Sequence, residues 1–212
     1  MSRVPAQLRT SIAALVLLIG AGGGAYYVDE AATREANTNA YIQAVAADPE
    51  VSDAIRIAMV MASFYESSNR HIGTPYVDKL GKGRPLTVCN GLTGREVVAG
   101  RYYSPAECYR LEKRRYVGYE VEAARLLTHW KTYDPFQQAT FLDFLHNKGE
   151  GNFFDSTMRR KANAGDWLGA CRENTRWNRG TVQGVSTVLP GLQLRGDSND
   201  EICRTWRLGA PA

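Results

Sequence analysis

The chain has 212 residues, 44% of them hydrophobic and 23% charged, with 20 Gly and 8 Pro, a composition that excludes the disordered and fibrous classes. A mean hydropathy of -0.35 excludes a polytopic membrane protein. The 26 Lys and Arg against 22 Asp and Glu leave a formal net charge of +4, with no block of like charge long enough to form a tail. No nucleic-acid partner is expected, and the chain is expected to be a monomer.

The first element is an uncharged run from Thr10 to Val28, preceded by Arg3 and Arg9 and followed by Asp29 and Glu30. Its length approaches the roughly 20 residues a helix needs to cross a bilayer. The flanking charges put the N-terminus in the cytoplasm and the rest of the chain across the membrane. Only the half holding Ile12, Leu15, Val16, Leu17, Leu18 and Ile19 is strongly apolar; Gly20 to Ala25 adds little. Such a helix can enter a bilayer and also leave it. The other readings are a cleaved signal peptide and a helix buried in a soluble fold.

Residues 29–50 read as a polar, Ala-rich helical linker. Asp48-Pro49 is placed as the N-cap and first position of an amphipathic helix, with Val51, Ile55, Ala58, Met59 and Ala62 along one face and Glu66 at its end. From Ser67 to Gly100 the Gly, Pro and Thr/Val clusters predict short strands and turns, the one expected sheet. Ser104-Pro105-Ala106-Glu107 has the form of a helix start, and helices continue to Cys203. Breaks fall at Tyr133-Asp134-Pro135, at Gly149 to Gly151 and in a loop from Arg179 to Leu189. The fold class is α+β, mostly helical with a small β-hairpin region, preceded by an N-terminal membrane helix.

Cys89, Cys108, Cys171 and Cys203 have no metal-site spacing, so two disulfides formed in an oxidising compartment are expected. Proximity favours Cys89 with Cys108 and Cys171 with Cys203. His71, His129 and His146 share no ligand spacing, and His71 falls where it would line a cleft. Trp130, Trp167, Trp177 and Trp206 read as core residues, and Glu112-Lys113-Arg114-Arg115 as a solvated helix face.

A carboxylic acid beside a carboxylate, with a hydroxyl to position water, is the equipment for glycosidic bond cleavage. Glu66, Asp78 and Thr87 are the candidates. Spacing alone does not single them out, but Pro75-Tyr76-Val77-Asp78, Gly81 and Leu86-Thr87-Val88-Cys89-Asn90-Gly91-Leu92-Thr93 resemble the phage lysozyme family, glycoside hydrolase family 24. A second block of resemblance runs through Gln137-Gln138-Ala139, Asn147-Lys148-Gly149, Asn163-Ala164-Gly165-Asp166 and Leu189-Pro190-Gly191-Leu192, with Arg195 beyond it. Together they cover roughly Val51 to Trp206.

The resemblance implies a lysozyme-like fold and a muramidase acting on peptidoglycan, with Glu66 as general acid, Asp78 as its carboxylate partner and Thr87 holding water. Tyr76 and Asn147 would contact substrate. No metal or cofactor is implied. The Glu-Asp and Asp-Thr gaps are longer than the family pattern, with insertions at Ser67 to Thr74 and Lys82 to Pro85; loops absorb such additions at small entropic cost. Phe64, Tyr65 and Tyr76 could shield the acid from water.

With its N-terminal segment, the chain also resembles endolysins that carry a signal-anchor-release segment. That implies residues 1–28 as the membrane segment, 29–50 as linker and 51–212 as catalytic domain. It further implies anchorage in the bacterial inner membrane through residues 10–28, release to the periplasm, and indirect dependence on a holin or pinholin. An exported peptidoglycan-binding protein with an inactive site is the competing class.

Overall fold

The computed structural model describes residues 2–20, 40–78 and 83–208. Its N-terminal helix, α1, runs over Ala6–Gly20, and Val4, Leu8, Ile12 and Leu15 on one stripe are at most 2% exposed. Each such burial contributes about 1.5–3 kcal/mol. The stripe packs against α2 (Ala40–Ala47) and the central α3 (Asp53–Ser67). At 15 residues α1 is about 22 Å long, short of the roughly 30 Å hydrocarbon core. Among the described residues no helix is long and apolar enough to cross a membrane. The expected membrane helix over residues 10–28 is therefore met by a core helix in its first half, while residues 21–28 lie outside the described residues.

Polar contacts fix the position of α1. Asn69 Nδ2 donates to Ser11 Oγ at 2.8 Å. Arg3 lies 3.4 Å from Asp200 and 3.8 Å from Asp197 on the C-terminal helix α9 (Pro190–Thr205).

The start of α3 differs from the expected one. Ser52, not Asp48, is its N-cap and accepts from the Ile55 amide at 3.2 Å. Asp48 instead turns the chain by accepting from the Glu50 amide, and its carboxylate accepts from Lys113 Nζ and the Tyr109 hydroxyl. The helix ends where Ser68 and Asn69 take left-handed backbone, φ 54 and 62, with their amides returned to the Phe64 and Ser63 carbonyls. This stop puts Glu66 in the last turn.

A three-stranded antiparallel sheet follows: β1 (Tyr76–Val77), β2 (Leu86–Val88) and β3 (Leu92–Thr93), in that order. Thr87 pairs with Tyr76 on one side and Thr93 on the other. Helix α4 (Pro105–Leu126) opens with a full capping box between Ser104 and Glu107. The Cys89–Cys108 disulfide joins the end of β2 to its first turn.

The run Glu112 to Arg115 is not a solvated face. Glu112 is buried and accepts from the Asn90 amide, Asn90 Nδ2 and the Tyr41 hydroxyl, which locks α2 onto the sheet loop. Arg114 pairs with Glu96, and Arg115 donates to the Thr93 carbonyl.

The C-terminal half consists of α5 (Pro135–Lys148), α6 (Glu150–Asp155), α7 (Thr157–Asn163), α8 (Trp167–Arg172) and α9, with α5 packed along α3. The Cys171–Cys203 disulfide ties α8 to α9. With partners 19 and 32 positions apart in sequence, each bridge restricts the unfolded chain by about 3–4 kcal/mol. Both pairings are the ones proximity favours. The stretch expected as a loop contains a second hairpin, β4 (Arg179–Val182) and β5 (Val185–Val188). Its turn residues Gln183 and Gly184 both have positive φ, 49 and 81, the backbone a tight two-residue hairpin requires.

Candidate active site

Glu66 leaves the last turn of α3 with its side chain 32% exposed. Its Oε1 accepts from Arg195 Nη1 at 2.7 Å. The other two donors of that guanidinium grip Asp143, Nε to Oδ2 at 2.9 Å and Nη2 to Oδ1 at 2.7 Å. Asn199 Nδ2 adds a hydrogen bond to Asp143 Oδ2 at 2.6 Å, and the Tyr65 hydroxyl donates to Asn199. Three elements, α3, α5 and α9, thus converge on one buried cation.

Burial opposes the charge of Arg195, but Asp143 and Glu66 more than offset it and hold the guanidinium above its ordinary range. His146 Nε2 lies 3.9 Å from the same Glu66 oxygen, with its ring stacked on Tyr116 at 5.3 Å. Burial, and then the Arg195 charge, push its imidazole down to about 4, so it is neutral near pH 7.

The second oxygen, Glu66 Oε2, faces the sheet loop. Gly91 there has φ +82, and a Cβ on it would lie 3.6 Å from Oε2. That distance is ordinary contact, so it is the left-handed backbone that glycine adopts without strain here. Oε2 has no hydrogen-bond partner among the described residues.

Tyr76 on β1 is 43% exposed. Partial burial, followed by the charges of Asp78 and Glu66, pushes its phenol up. That ring thus lies within electrostatic reach of both carboxylates. The Asp78 amide donates to the Pro85 carbonyl at 3.0 Å, which closes the β1–β2 turn. Thr87 is buried, and its hydroxyl donates to the same carbonyl at 3.2 Å, leaving its lone pairs to accept. Of the expected insertion at Lys82 to Pro85, Lys82 lies outside the described residues.

Asn147 is half-buried at the end of α5, beside a small cavity it shares with Lys148, Trp177 and Arg195. His71 Nε2 donates to the Tyr103 carbonyl, 2.9 Å away, and so braces a loop. Phe64 enters the core, and Tyr65 places its ring 4.8 Å from the Arg195 guanidinium carbon. The apolar shield expected around Glu66 is replaced by an ionic and aromatic one. Asp143, His146 and the role of Arg195 escaped the sequence reading. The available signal was an acid inside Phe141-Leu142-Asp143-Phe144-Leu145, because a carboxylate in so apolar a run requires a partner.

The phage lysozyme family profile matches residues 71–198. A SAR-endolysin of Bacteriophage PS119 is 34% identical over 131 residues, 61% of this chain and 72% of that protein. A SAR-endolysin of Escherichia phage Mu is 37% identical over 103 residues, 49% of this chain and 57% of that one. Among solved structures, the active form of the P1 phage endolysin Lyz superposes with a TM-score of 0.61 at 14% identity, covering 92% of this chain and 93% of that one. The muramidase domain of SpmX from Asticaccaulis excentricus gives 0.62 at 17% identity over 71% of this chain and 96% of that one. The chain belongs to the phage lysozyme family. It is an endolysin, a glycoside hydrolase of the lysozyme type.

Proposed function

We propose that this endolysin cuts the β-1,4 bond between N-acetylmuramic acid and N-acetylglucosamine with Glu66 as the proton donor. The observation that carries the reading is the asymmetry of the Glu66 carboxyl. Arg195 holds Oε1 at 2.7 Å and concentrates negative charge there, so the proton of the acid form resides on the open oxygen, Oε2. Oε2 gives that proton to the glycosidic oxygen as the bond to the anomeric carbon breaks. Asp78 balances the oxocarbenium-like charge, and a water held at Thr87 adds to the anomeric carbon, its proton passing to a carboxylate. Tyr76 and Asn147 contact the flanking sugars. Glu66→Gln keeps an acceptor for Arg195 but has no proton to give. It should lower turnover on cell walls by about 10²–10⁴-fold with an unchanged melting temperature.

The same proposal covers location. Residues 1–28 act as a releasable membrane segment, 29–50 as linker and 51–212 as catalytic domain. The chain is held in the inner membrane with its N-terminus in the cytoplasm until a holin or pinholin permits release to the periplasm. The SAR-endolysin names of its relatives support this, as does the buried stripe of α1, which gives residues 6–20 a place in the released enzyme. Cleavage after residue 28 would remove Leu8, Ile12 and Leu15 from the core, which argues against an ordinary signal peptide.

A further inference from the structure

Arg195 holds one oxygen of Glu66, and the loop between β2 and β3 comes up to the other, with a Cβ on Gly91 falling 3.6 Å from Oε2. The residue before Gly91 ties that loop down. Asn90 is 6% exposed, and both ends of its side chain are engaged. Its backbone amide donates to Glu112 Oε1 at 2.8 Å and its Nδ2 to Glu112 Oε2 at 3.2 Å, so one carboxylate on α4 grips it twice. Asn90 Oδ1 accepts from the Ser67 hydroxyl at 3.1 Å, and that hydroxyl also reaches the Ser63 carbonyl at 2.8 Å. Ser67 is the residue after Glu66. The last turn of α3, the sheet loop and α4 therefore meet at one amide side chain, a single residue away from Gly91 on one side and from Glu66, through Ser67, on the other.

Cys89 and Gly91, which flank Asn90, both have left-handed backbone, φ 57 and 82. Such backbone at a non-glycine residue persists only where the surroundings over-determine it. The disulfide to Cys108, the Cys89 amide donating to the Ile72 carbonyl at 2.8 Å, and the Asn90–Glu112 pair supply those contacts. An apolar residue at position 112 could fill the same space at a lower desolvation cost. A carboxylate adds direction, because two charge-assisted hydrogen bonds in one plane fix where the loop lies. Position matters here, since a misplacement of about 1 Å at a reacting group can cost on the order of 10²-fold in rate.

We propose that Asn90, gripped by Glu112, is a positioning residue that sets the gap between the sheet loop and Glu66 Oε2, and with it the place of the glycosidic oxygen that receives the proton. The inference rests on the reading of Glu66 as proton donor.

The test uses the full-length chain, assayed on soluble peptidoglycan chains well below every variant's melting temperature. Asn90→Ala loses both side-chain bonds but keeps the backbone bond to Glu112 and the neighbouring disulfide, so it should fold. Its kcat should fall at least about tenfold with KM within about twofold of native. Tyr41→Phe is the comparison: it takes a different donor from Glu112 and leaves both Asn90 bonds, so it should melt lower yet keep kcat within about twofold. Asn90→Asp sets two carboxylates face to face and should also lose kcat. Adding Glu112→Gln, whose amide can donate where the carboxylate accepted, should bring kcat back to within about threefold of native. Native kcat in Asn90→Ala, equal losses in Asn90→Ala and Tyr41→Phe, or no recovery in the folded Asn90→Asp/Glu112→Gln pair would overturn the proposal. The Glu66 carboxyl carbon, assigned in NMR spectra by its loss in Glu66→Gln, gives a readout without turnover. Its resonance should move in Asn90→Ala and stay in place in Tyr41→Phe. Native protein that releases no reducing ends would refute the proton-donor reading; the resonance would still decide whether Asn90 sets the loop against Glu66, and an unmoved one would say that it does not.

Discussion

Arg195 is bound to Asp143 through two nitrogens and to Glu66 through the third, so the carboxyl proposed as the proton donor is positioned by a cation that a buried acid neutralises. The two carboxylates differ in solvent access, with side-chain exposures of 1% for Asp143 and 32% for Glu66. Asp143 is sealed from solvent, whereas Glu66 reaches it.

That division makes Arg195→Met a severe change. It leaves Asp143 buried and unpaired, at a cost of about 3–5 kcal/mol in urea unfolding. Adding Asp143→Leu should recover most of that stability, since an apolar pair replaces an ionic one. Activity should stay low in the double variant, because Glu66 has lost its hold. Full activity in a restabilised double variant would remove Arg195 from the positioning role.

His146 gives the enzyme a pH signature. Its native pKa, about 4, is below its ordinary 6.5. Between those values the unfolded chain binds a proton that the native one does not, so stability falls as pH drops from about 6.5 to 4, by on the order of 2–3 kcal/mol. The groups facing the ring are Arg195, Glu66, Asp143 and Arg115. Burial raises Glu112 in the opposite sense, which favours the native state on acidification. His146→Gln should therefore flatten the loss between pH 6.5 and 4, read as melting temperature against pH; an unaltered slope would assign it to other groups.

Tyr41→Phe removes one donor from buried Glu112 and should cost about 1–3 kcal/mol. The effect should be local as well as global. Hydrogen exchange of amides in residues 40–47 should rise most, because that hydroxyl pins α2 to α4.

The apolar stripe of α1 carries its own prediction. Ile12→Ala should destabilise by about 2–5 kcal/mol in chemical unfolding, whereas Leu18→Ala, at 45% exposure, should change stability by less than about 0.5 kcal/mol. Equal, small effects at both positions would mean that α1 is not part of the folded enzyme in solution.

What could be read in advance followed the range of the interactions. The capping box at Ser104, the stop at Glu66 and the neighbouring cysteine pairs involve residues close in sequence, and each has a local pattern. The Gln183-Gly184 turn lacked the Asn or Asp that usually signals a hairpin, although its backbone behaves the same way. Asp48 resembles an N-cap, but Lys113 and Tyr109, more than 60 residues away, take its carboxylate. Glu112 sits in a charged run whose burial depends on Tyr41 and Asn90. The network of Arg195, Asp143 and His146 is longer in range still: 129 residues separate Arg195 from Glu66. The uncharged N-terminal run was legible as apolar, but nothing in its periodicity distinguishes a bilayer from a protein core as the partner of its first half.

The most direct measurement is the chemistry of the ends produced from purified peptidoglycan. Native enzyme should release fragments ending in reducing N-acetylmuramic acid, each one water heavier than the cyclised anhydro form, and Glu66→Gln of unchanged melting temperature should release essentially none. Anhydro ends from the native enzyme, or undiminished reducing ends from Glu66→Gln, would contradict the assignment of Glu66 as the acid of a hydrolytic muramidase.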